Sequence, residues 1–200
     1  LAEKKFKVFG FDSNKKLLTN LNKFKTHVYE KNINLLLKKN IKKKNFSLCS
    51  EIPDDIDIFI ITVGTPVVYD KKKGIFISNL NSIKEITEKI SSKLKKKCLI
   101  IFRSTIPLGT CTKIIIPILK RKSLVIDRDY YISFAPERTI EGDAINELKN
   151  LPQIIAGGSK LSVNKCKFFF KQFCKEVVEV DNLESGELIK LINNSYRDLS

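Results

Sequence analysis

Charged side chains that can do acid–base chemistry follow an apolar run in the stretch from Phe134 to Gly158. Tyr131 to Phe134 predicts a buried strand, and Pro136 ends it because proline has no N–H for a strand ladder. In open α/β sheets, ligands bind at the carboxyl ends of the strands. Glu137 and Glu141, four residues apart, can act there as general bases, or they can simply favour the start of the next helix through its dipole.

Hydroxyl groups follow two other predicted strands. Thr65-Pro66 comes after one apolar run, and Ser104-Thr105 comes after the next. Hydroxyls and backbone N–H groups at such strand ends can hold a phosphate or a ribose, or they can form turns that cap the following helix. Two such loops on one edge of a sheet favour a ligand site.

A lysine and an amide share one face of the last predicted helix. Lys190 and Asn194 are four residues apart, beside an apolar stripe of Leu188, Leu191 and Ile192. Side chains with this spacing are neighbours on a helix surface, so both can reach one ligand. The alternative is an exposed lysine next to a surface amide.

Asp12 ends the first predicted strand of the chain. In a dinucleotide-binding fold, an acid at this place binds the ribose hydroxyls of the adenosine half, and it lies about 20 residues beyond a glycine-rich loop. Gly10 is the only glycine before Asp12, so that loop is not in this sequence. Either Asp12 is a plain strand-end acid or the chain begins after the first βα unit. Leu1 to Lys5 is typical of a helix end that leads into a strand, which favours the second alternative.

Strand and helix patterns alternate along the chain, which predicts an α/β fold with a parallel sheet and helices on both faces. Val67 to Asn79 is predicted as a polar loop, and Pro117 is predicted to kink or end its helix. The predicted strands are Lys7–Phe11, Phe46–Cys49, Ile56–Val63, Cys98–Phe102, Tyr131–Phe134, Gln153–Ala156 and Val177–Val180. The predicted helices are Asn14–Asn22, a segment around Ile33–Leu37, Leu80–Leu94, Thr110–Lys120, Ala144–Lys149, Ser162–Cys174 and Glu184–Leu199.

Composition restricts the possible partners. The 200 residues are 42% hydrophobic and carry a net charge of +15. The lysines are dispersed over loops and helix ends, as at Lys71–Lys73, which favours a solvated basic surface over a polyanion site. Five cysteines with irregular spacing and no CxxC pair predict reduced thiols in a cytoplasmic protein, with neither a metal nor a disulfide framework. No apolar run is long enough to predict a membrane span.

Six segments, in their order and spacing, resemble the nucleotide-sugar 6-dehydrogenases, the family of UDP-glucose and UDP-N-acetylhexosamine dehydrogenases. The last two are the most specific. The segments are VFGFD at Val8–Asp12, VYEKNI at Val28–Ile33, TVGTP at Thr62–Pro66, RSTIPLGT at Arg103–Thr110, APERTIEGDAINEL at Ala135–Leu148 and GELIKLINNSYRD at Gly186–Asp198. The resemblance implies a Rossmann-like, doubly wound, mostly parallel sheet over residues 1–182 that lacks its first βα unit. Residues 183–200 would then begin a central helical dimerisation domain.

The resemblance also implies an activity, which is the NAD-dependent oxidation of the C6 alcohol of a UDP-sugar to a carboxylate in two hydride transfers. It implies that the full-length protein is a homodimer and that it has no nucleic-acid or membrane partners. The implied catalytic residues are Thr105, Glu137, Lys190 and Asn194. The implied cofactor-binding residues are Asp12, Thr65, Pro66, Ser104, Thr105 and Glu141. The implied substrate-binding residues are Arg138, Thr139 and Lys190, and no metal site is implied.

Some positions depart from the family pattern. The glycine-rich loop and the segment that supplies the nucleophilic cysteine are missing, so no cysteine is assigned that role and the chain is expected to be an inactive fragment. Arg103 stands where several members have glutamate or lysine, which leaves its role open. Arg138 stands where UDP-glucose enzymes tend to have phenylalanine, which favours a UDP-N-acetylhexosamine and polysaccharide precursor synthesis. The alternatives are a UDP-glucose 6-dehydrogenase and, in another class, a basic α/β nucleic-acid-binding module.

Overall fold

The computed structural model describes residues 1–72 and 74–199. Lys73 of the predicted basic loop and Ser200, the last residue of the predicted central-domain segment, lie outside the described residues. The chain forms two compact units. The first unit contains residues 1–53, 139–151 and 172–175, and the second contains residues 54–138, 152–171 and 176–200.

Strands and helices alternate over most of the chain. In chain order, the strands are β1 (Val8–Phe11), β2 (Phe46–Cys49), β3 (Ile58–Ile61), β4 (Val67–Asp70), β5 (Ile75–Ser78), β6 (Cys98–Phe102), β7 (Tyr130–Phe134), β8 (Gln153–Gly157) and β9 (Val177–Glu179). The α-helices are α1 (Lys15–Asn22), α2 (Ile33–Lys42), α3 (Asn81–Ser91), α4 (Ile116–Arg121), α5 (Ala144–Asn150), α6 (Lys160–Phe170) and α7 (Leu183–Leu199).

The first unit is built on two short parallel strands. β1 pairs with β2, with Val8 opposite Phe46. Asn14 begins α1, and its side-chain oxygen accepts the Leu17 N–H at 3.1 Å, which satisfies a donor that the first helical turn leaves without a partner. Asp12 therefore follows β1 directly and precedes the helix cap.

The second unit contains a five-stranded sheet in the order β3-β6-β7-β8-β9. β3, β6 and β7 run parallel, and all residues of β6 and β7 are buried. Both strands are predominantly apolar, as expected for strands that are covered on both faces. The predicted α/β class with a mostly parallel sheet is confirmed.

One pair of strands in this mostly parallel sheet is antiparallel. β8 pairs antiparallel with β7, with Ser133 opposite Gly157, and β9 then runs parallel to β8. A parallel pair needs a crossover connection that returns the chain to the starting edge. The helix between these strands, α5, has seven residues and belongs to the first unit, so it is not a crossover helix of this sheet.

Two predictions are corrected. Val67 to Asn79 is not a loop throughout but contains the antiparallel hairpin β4–β5, in which the rings of Tyr69 and Phe76 meet edge-on at 5.2 Å. Each strand has only four residues, too few to stand out in the sequence beside Lys71 and Lys72. Of the two outcomes predicted for Pro117, the end of its helix is wrong, because the proline lies in the first turn of α4, directly after a π-helical segment at Cys111–Ile115.

None of the helices in residues 1–72 and 74–199 is long and apolar enough to cross a bilayer.

Gly186 lets α7 lie close to the sheet of the second unit. A Cβ atom at this position would stand 2.9 Å from the Ala156 Cβ and 3.2 Å from the Phe134 Cδ1. The first distance is shorter than normal van der Waals contact, so any side chain would push the helix away from β7 and β8.

Replacing Gly186 with valine should therefore lower the free energy of unfolding by about 1–3 kcal/mol, the usual cost of overpacking a core. Urea denaturation of the protein and its variant measures this difference. Ser195→Val, on the exposed face of the same helix, is the matched control and should change stability by less than about 0.5 kcal/mol. Equal effects of the two substitutions would contradict a close approach at Gly186.

Candidate active site

The carboxyl ends of β3 and β6 lie side by side, since the two strands are parallel neighbours. The loops that follow them are joined by hydrogen bonds. The Thr65 hydroxyl donates to the Thr105 carbonyl at 2.5 Å, and the Ser104 hydroxyl donates to the Val63 carbonyl at 2.7 Å. The structure therefore brings together four residues that the sequence singled out, because Pro66 adjoins Thr65 and Thr105 adjoins Ser104.

Glu137 lies on the loop that follows β7, and its carboxylate is paired with a buried arginine. Arg103, at the end of β6, places its Nη2 2.6 Å from the Glu137 Oε2, and the arginine side chain is only 7% exposed. The Arg103 Nη1 donates to the Gln153 Oε1 at 3.1 Å, and the guanidinium lies 5.4 Å from the centre of the Phe170 ring. The role of Arg103, which the sequence left open, therefore concerns Glu137 directly.

Helix α7 reaches both of these loops from one face. The Lys190 ammonium donates to the backbone carbonyl of Glu137, and the Asn194 amide donates to the Thr105 hydroxyl at 3.4 Å. Four predicted catalytic residues thus meet at one edge of the sheet. An ammonium, an amide, a hydroxyl and a carboxylate together can stabilise a negative oxygen and accept a proton.

The environment of Lys190 lowers the pKa of its side chain. Burial lowers the pKa of Lys190, the positive charges of Arg197, Arg103 and Arg138 lower it further, and the negative charge of Glu137 opposes them. An amine with a lowered pKa exchanges its proton more readily near neutral pH than an exposed lysine does.

Arg138 fixes the loop after β7 to the start of β8. Its guanidinium donates to the Pro152 carbonyl, and Arg197 of α7 donates in turn to the Arg138 carbonyl. Burial, with the nearby charge of Arg197, lowers the pKa of Arg138. The residue predicted to bind substrate therefore also holds its own loop in place.

Three of the predicted site residues belong to the first unit. The Oδ1 of Asp12 accepts the Asn14 N–H at 2.8 Å, and the Oε1 of Glu141 accepts the Tyr29 N–H at 3.0 Å. Thr139 belongs to the same unit. The predicted residues are thus divided between the two units, and each group is fixed by contacts within its own unit.

Glu30 has a role that the sequence did not reveal. Its Oε2 accepts the N–H groups of Gly142 and Ala144, each at 3.1 Å, at the start of α5. Gly142 has a φ of 100°, which side chains other than glycine rarely adopt. Glu30 lies in the VYEKNI segment, so the resemblance marked the segment without showing which group it would bind.

Glu187 is a second residue that the sequence analysis missed. It is fully buried. Its Oε2 accepts the Gly109 N–H, and its Oε1 accepts the Cys111 N–H at 2.8 Å. One turn earlier on α7, Glu184 accepts the Thr112 hydroxyl at 2.6 Å. Burial, followed by the charge of Glu187, raises the pKa of the Cys111 thiol well above its usual value. The only signal in the sequence is that Glu187 precedes Lys190 by one helical turn.

The chain is similar in sequence and fold to known proteins. Residues 1–174 match the family model for the NAD binding domain of the UDP-glucose/GDP-mannose dehydrogenase family. A UDP-N-acetyl-D-mannosamine dehydrogenase of Methanocaldococcus jannaschii is 30% identical over 201 residues, which cover 100% of this chain and 45% of that protein.

Two solved structures are similar over nearly the whole chain. The UDP-N-acetyl-mannosamine dehydrogenase of Staphylococcus aureus is 26% identical with a TM-score of 0.89, and the match covers 98% of this chain and 47% of that one. The UDP-D-ManNAc dehydrogenase of Pyrococcus horikoshii is 26% identical with a TM-score of 0.91, over 98% of this chain and 46% of that one. The chain therefore spans less than half the length of each of these proteins.

The buried carboxylate of Glu187 should be needed for stability. In Glu187→Gln, an amide replaces one of the two accepting oxygens and leaves a buried N–H without its partner, which should lower the free energy of unfolding by about 1–3 kcal/mol. Chemical denaturation at neutral pH measures the change. Glu184→Gln is the matched control on the same helix, and its loss should be smaller because Glu184 is less buried. An equal loss in both variants would refute the assigned role of Glu187.

Proposed function

Because this chain belongs to the UDP-glucose/GDP-mannose dehydrogenase family, as its motifs predicted, we propose that the protein uses NAD to oxidise the C6 alcohol of a UDP-sugar to the uronate. A UDP-N-acetylhexosamine is the favoured substrate, and the product serves polysaccharide precursor synthesis. The observation that carries this proposal is the meeting of Lys190, Asn194, Thr105 and Glu137 at the end of the sheet.

Lys190 and Asn194 have the chemistry to activate an alcohol. The alcohol carbon gives up a hydride more readily as its oxygen becomes negative, and NAD, when bound, supplies the hydride acceptor. A fixed ammonium and a fixed amide stabilise such an oxygen without reorganising during the reaction. The hydroxyl of Thr105, which accepts from Asn194, lies in the same group and can share a hydrogen bond with the substrate oxygen.

Glu137 is the proposed acid/base. Its carboxylate can accept a proton from the substrate or orient the water that adds during the second oxidation. The backbone of Glu137 is held by Lys190 and its carboxylate by Arg103, so the group is placed before substrate arrives. Such preorganisation is what makes an acid/base group effective.

The residues proposed to hold NAD have the hydrogen-bonding groups that a ribose requires. The hydroxyls of Thr65 and Ser104 donate to backbone carbonyls, which leaves their oxygen lone pairs to accept from ribose hydroxyls. Asp12 uses Oδ1 to accept a backbone N–H, and its Oδ2 can accept from a ribose hydroxyl in the same way. Pro66 and Glu141 are proposed to complete the cofactor-binding residues.

Arg138 and Thr139 are proposed to contact the sugar, together with Lys190. The Pro-Glu-Arg form of this segment and the names of the relatives support an N-acetylated hexosamine over glucose. UDP-glucose remains the alternative substrate.

The proposed organisation extends beyond the site. We propose residues 1–182 as the NAD-binding domain and residues 183–200 as the start of a central helical domain. Helix α7 exposes an apolar stripe of Leu188, Ile192, Tyr196 and Leu199, which supports a homodimer in which a second subunit covers it. Five free cysteines support a cytoplasmic, reducing location.

A basic nucleic-acid-binding module is the candidate from another class, and the net charge of +15 is the observation that favours it. Such a module would bind random DNA at physiological ionic strength, with an affinity that falls steeply as salt rises. Several lysines are instead paired with acids within the chain, as in Lys39–Glu3 and Lys95–Asp57. A gel-shift series over rising salt distinguishes the two functions.

The proposed activity predicts NAD reduction by the full-length protein with UDP-N-acetylmannosamine or UDP-N-acetylglucosamine. The value of kcat/KM should be at least about tenfold lower for UDP-glucose, since discrimination between close analogues is worth about 1–3 kcal/mol. Absorbance of NADH at saturating NAD measures both rates. Faster oxidation of UDP-glucose would establish the alternative substrate, and no reduction with any UDP-sugar would refute the function.

The lowered pKa of Lys190 predicts how the rate depends on pH. Since the ammonium stabilises the substrate oxygen, kcat should fall as pH rises through the lowered pKa, before the value of 10.5 usual for lysine is reached. In Lys190→Arg the guanidinium remains charged as pH rises, so the decline of kcat at alkaline pH should disappear. The kcat of Lys190→Met should be lower by a factor of about 10²–10³, the usual effect of removing one oxyanion donor.

Lys171→Met is the matched control, because Lys171 is exposed at the end of α6. It should leave the pH profile and kcat unchanged. A Lys190→Met variant with the rate of the unmodified protein would exclude Lys190 from the chemistry.

A further inference from the structure

Arg103 separates two groups that would otherwise pair. We propose that Arg103 is a positioning residue, which holds the Glu137 carboxylate away from the Lys190 ammonium and so keeps that ammonium available to the substrate oxygen. This inference rests on the proposed function, in which Lys190 and Glu137 have separate tasks. It assigns a role to a position where the sequence departs from the family pattern.

Two cations bind different polar groups of Glu137. Arg103 pairs with the Glu137 carboxylate at 2.6 Å, whereas Lys190 donates to the backbone carbonyl of Glu137. The carbonyl and the carboxylate belong to the same residue, so Lys190 lies within the reach of a flexible glutamate side chain. Opposite charges this close form an ion pair unless another partner competes. Arg103 is that competitor.

Several contacts favour Arg103 over Lys190 as the partner of the Glu137 carboxylate. Its side chain is 7% exposed, so the guanidinium is already desolvated and held in place. Gln153 accepts a second hydrogen bond from Arg103 at 3.1 Å, and the Phe170 ring lies 5.4 Å from the guanidinium. Gln153 is itself fixed, since its amide donates to the Ile154 carbonyl at 2.8 Å. A planar guanidinium that stays charged at any working pH suits this task better than a lysine.

The other oxygen of the Glu137 carboxylate is also fixed. Oε1 accepts the N–H of Arg138 at 2.9 Å, while Oε2 accepts from Arg103. Arg138 and Arg103 therefore each orient one oxygen of the carboxylate. A carboxylate held in this way remains an acceptor, which fits its proposed task as a base or a water-orienting group.

The charges around Lys190 follow from this arrangement. Glu137 raises the pKa of Lys190, whereas burial and the positive charges of Arg197, Arg103 and Arg138 lower it. Loss of Arg103 would remove one nearby cation and free the carboxylate to turn towards Lys190. Both changes stabilise the ammonium, so both raise the pKa of Lys190.

Arg103→Met in the full-length protein tests the inference. The lysines are reductively methylated with a ¹³C label, and the Lys190 resonance is identified by its absence in Lys190→Arg. The titration midpoint of Lys190 should rise by about 1 pH unit or more when Arg103 is lost, as expected for a newly formed ion pair. The value of kcat should fall about tenfold or more while KM changes little, because the ammonium is needed most in the transition state.

A double variant isolates the competition from other effects of the substitution. In Arg103→Met/Glu137→Gln no carboxylate is left to pair with Lys190, so the rise relative to Glu137→Gln alone should be smaller and limited to the effect of the lost arginine charge. Arg103→Gln, which keeps a hydrogen-bonding group next to Gln153, replaces Arg103→Met if that variant does not fold. Arg121→Met, at the exposed end of α4, is the matched control and should leave the Lys190 titration and kcat unchanged.

An unchanged Lys190 titration in folded Arg103→Met or Arg103→Gln would overturn the inference, even if stability fell, because it would leave Arg103 a structural role only. A rise in the double variant, measured against Glu137→Gln, as large as the rise in Arg103→Met measured against the unmodified protein would also overturn it. The titration does not depend on turnover. If the unmodified protein reduces no NAD with any UDP-sugar, the proposed function fails, while the Lys190 titration still shows whether Arg103 keeps the two groups apart.

Discussion

A single buried carboxylate sets the position of the helix on which the candidate site depends. Glu187 has no exposed surface, and burying its charge would cost several kcal/mol without hydrogen-bond partners. The N–H groups of Gly109 and Cys111 supply them at the start of a helical segment, where the helix dipole also favours a negative charge. Because these donors occupy fixed places, α7 can take only one register against the loop after β6.

That register determines which side chains of α7 reach the strand ends. Lys190 comes almost one helical turn after Glu187, and Asn194 comes almost two turns after Glu187. All three residues therefore lie on the same side of the helix. Gly186 removes the side chain that would prevent the helix from approaching β7 and β8. The geometry of the candidate site is thus a consequence of packing, since the same contacts that hold α7 to the sheet also direct Lys190 and Asn194 at the loops.

Charge distribution explains why this edge of the sheet suits the chemistry of an alcohol. Arg103, Arg138, Lys190 and Arg197 surround the single carboxylate of Glu137, and each is held by a carbonyl, a carboxylate or an amide oxygen of the protein. Fixed positive groups in a partly buried site stabilise a developing negative oxygen more strongly than mobile ones in water. Lys190 is the member of this cluster whose proton can be exchanged, because the guanidinium groups remain charged at working pH.

The apolar strands could be predicted from the sequence because burial on both faces demands a run of predominantly apolar residues, as in β6 and β7. The direction of β8 could not, because a short helix between two strands is compatible with a crossover or with a return from the same edge. The hairpin β4–β5 was missed for a related reason. Its four-residue strands are too short to stand out from the polar residues beside them in the sequence.

The sequence by itself determined the family, the α/β class and the residues with the right chemistry, since these depend on residue types and on short-range spacing. Only the tertiary structure decided which groups those residues meet. Arg103 and Glu137 are 34 residues apart along the chain, and Gly109 and Glu187 are 78 apart. Contacts over such separations are fixed by how strands and helices pack, which local spacing does not record. The pairing of Glu137 with Arg103, and of Lys190 with a backbone carbonyl, therefore followed from the fold alone.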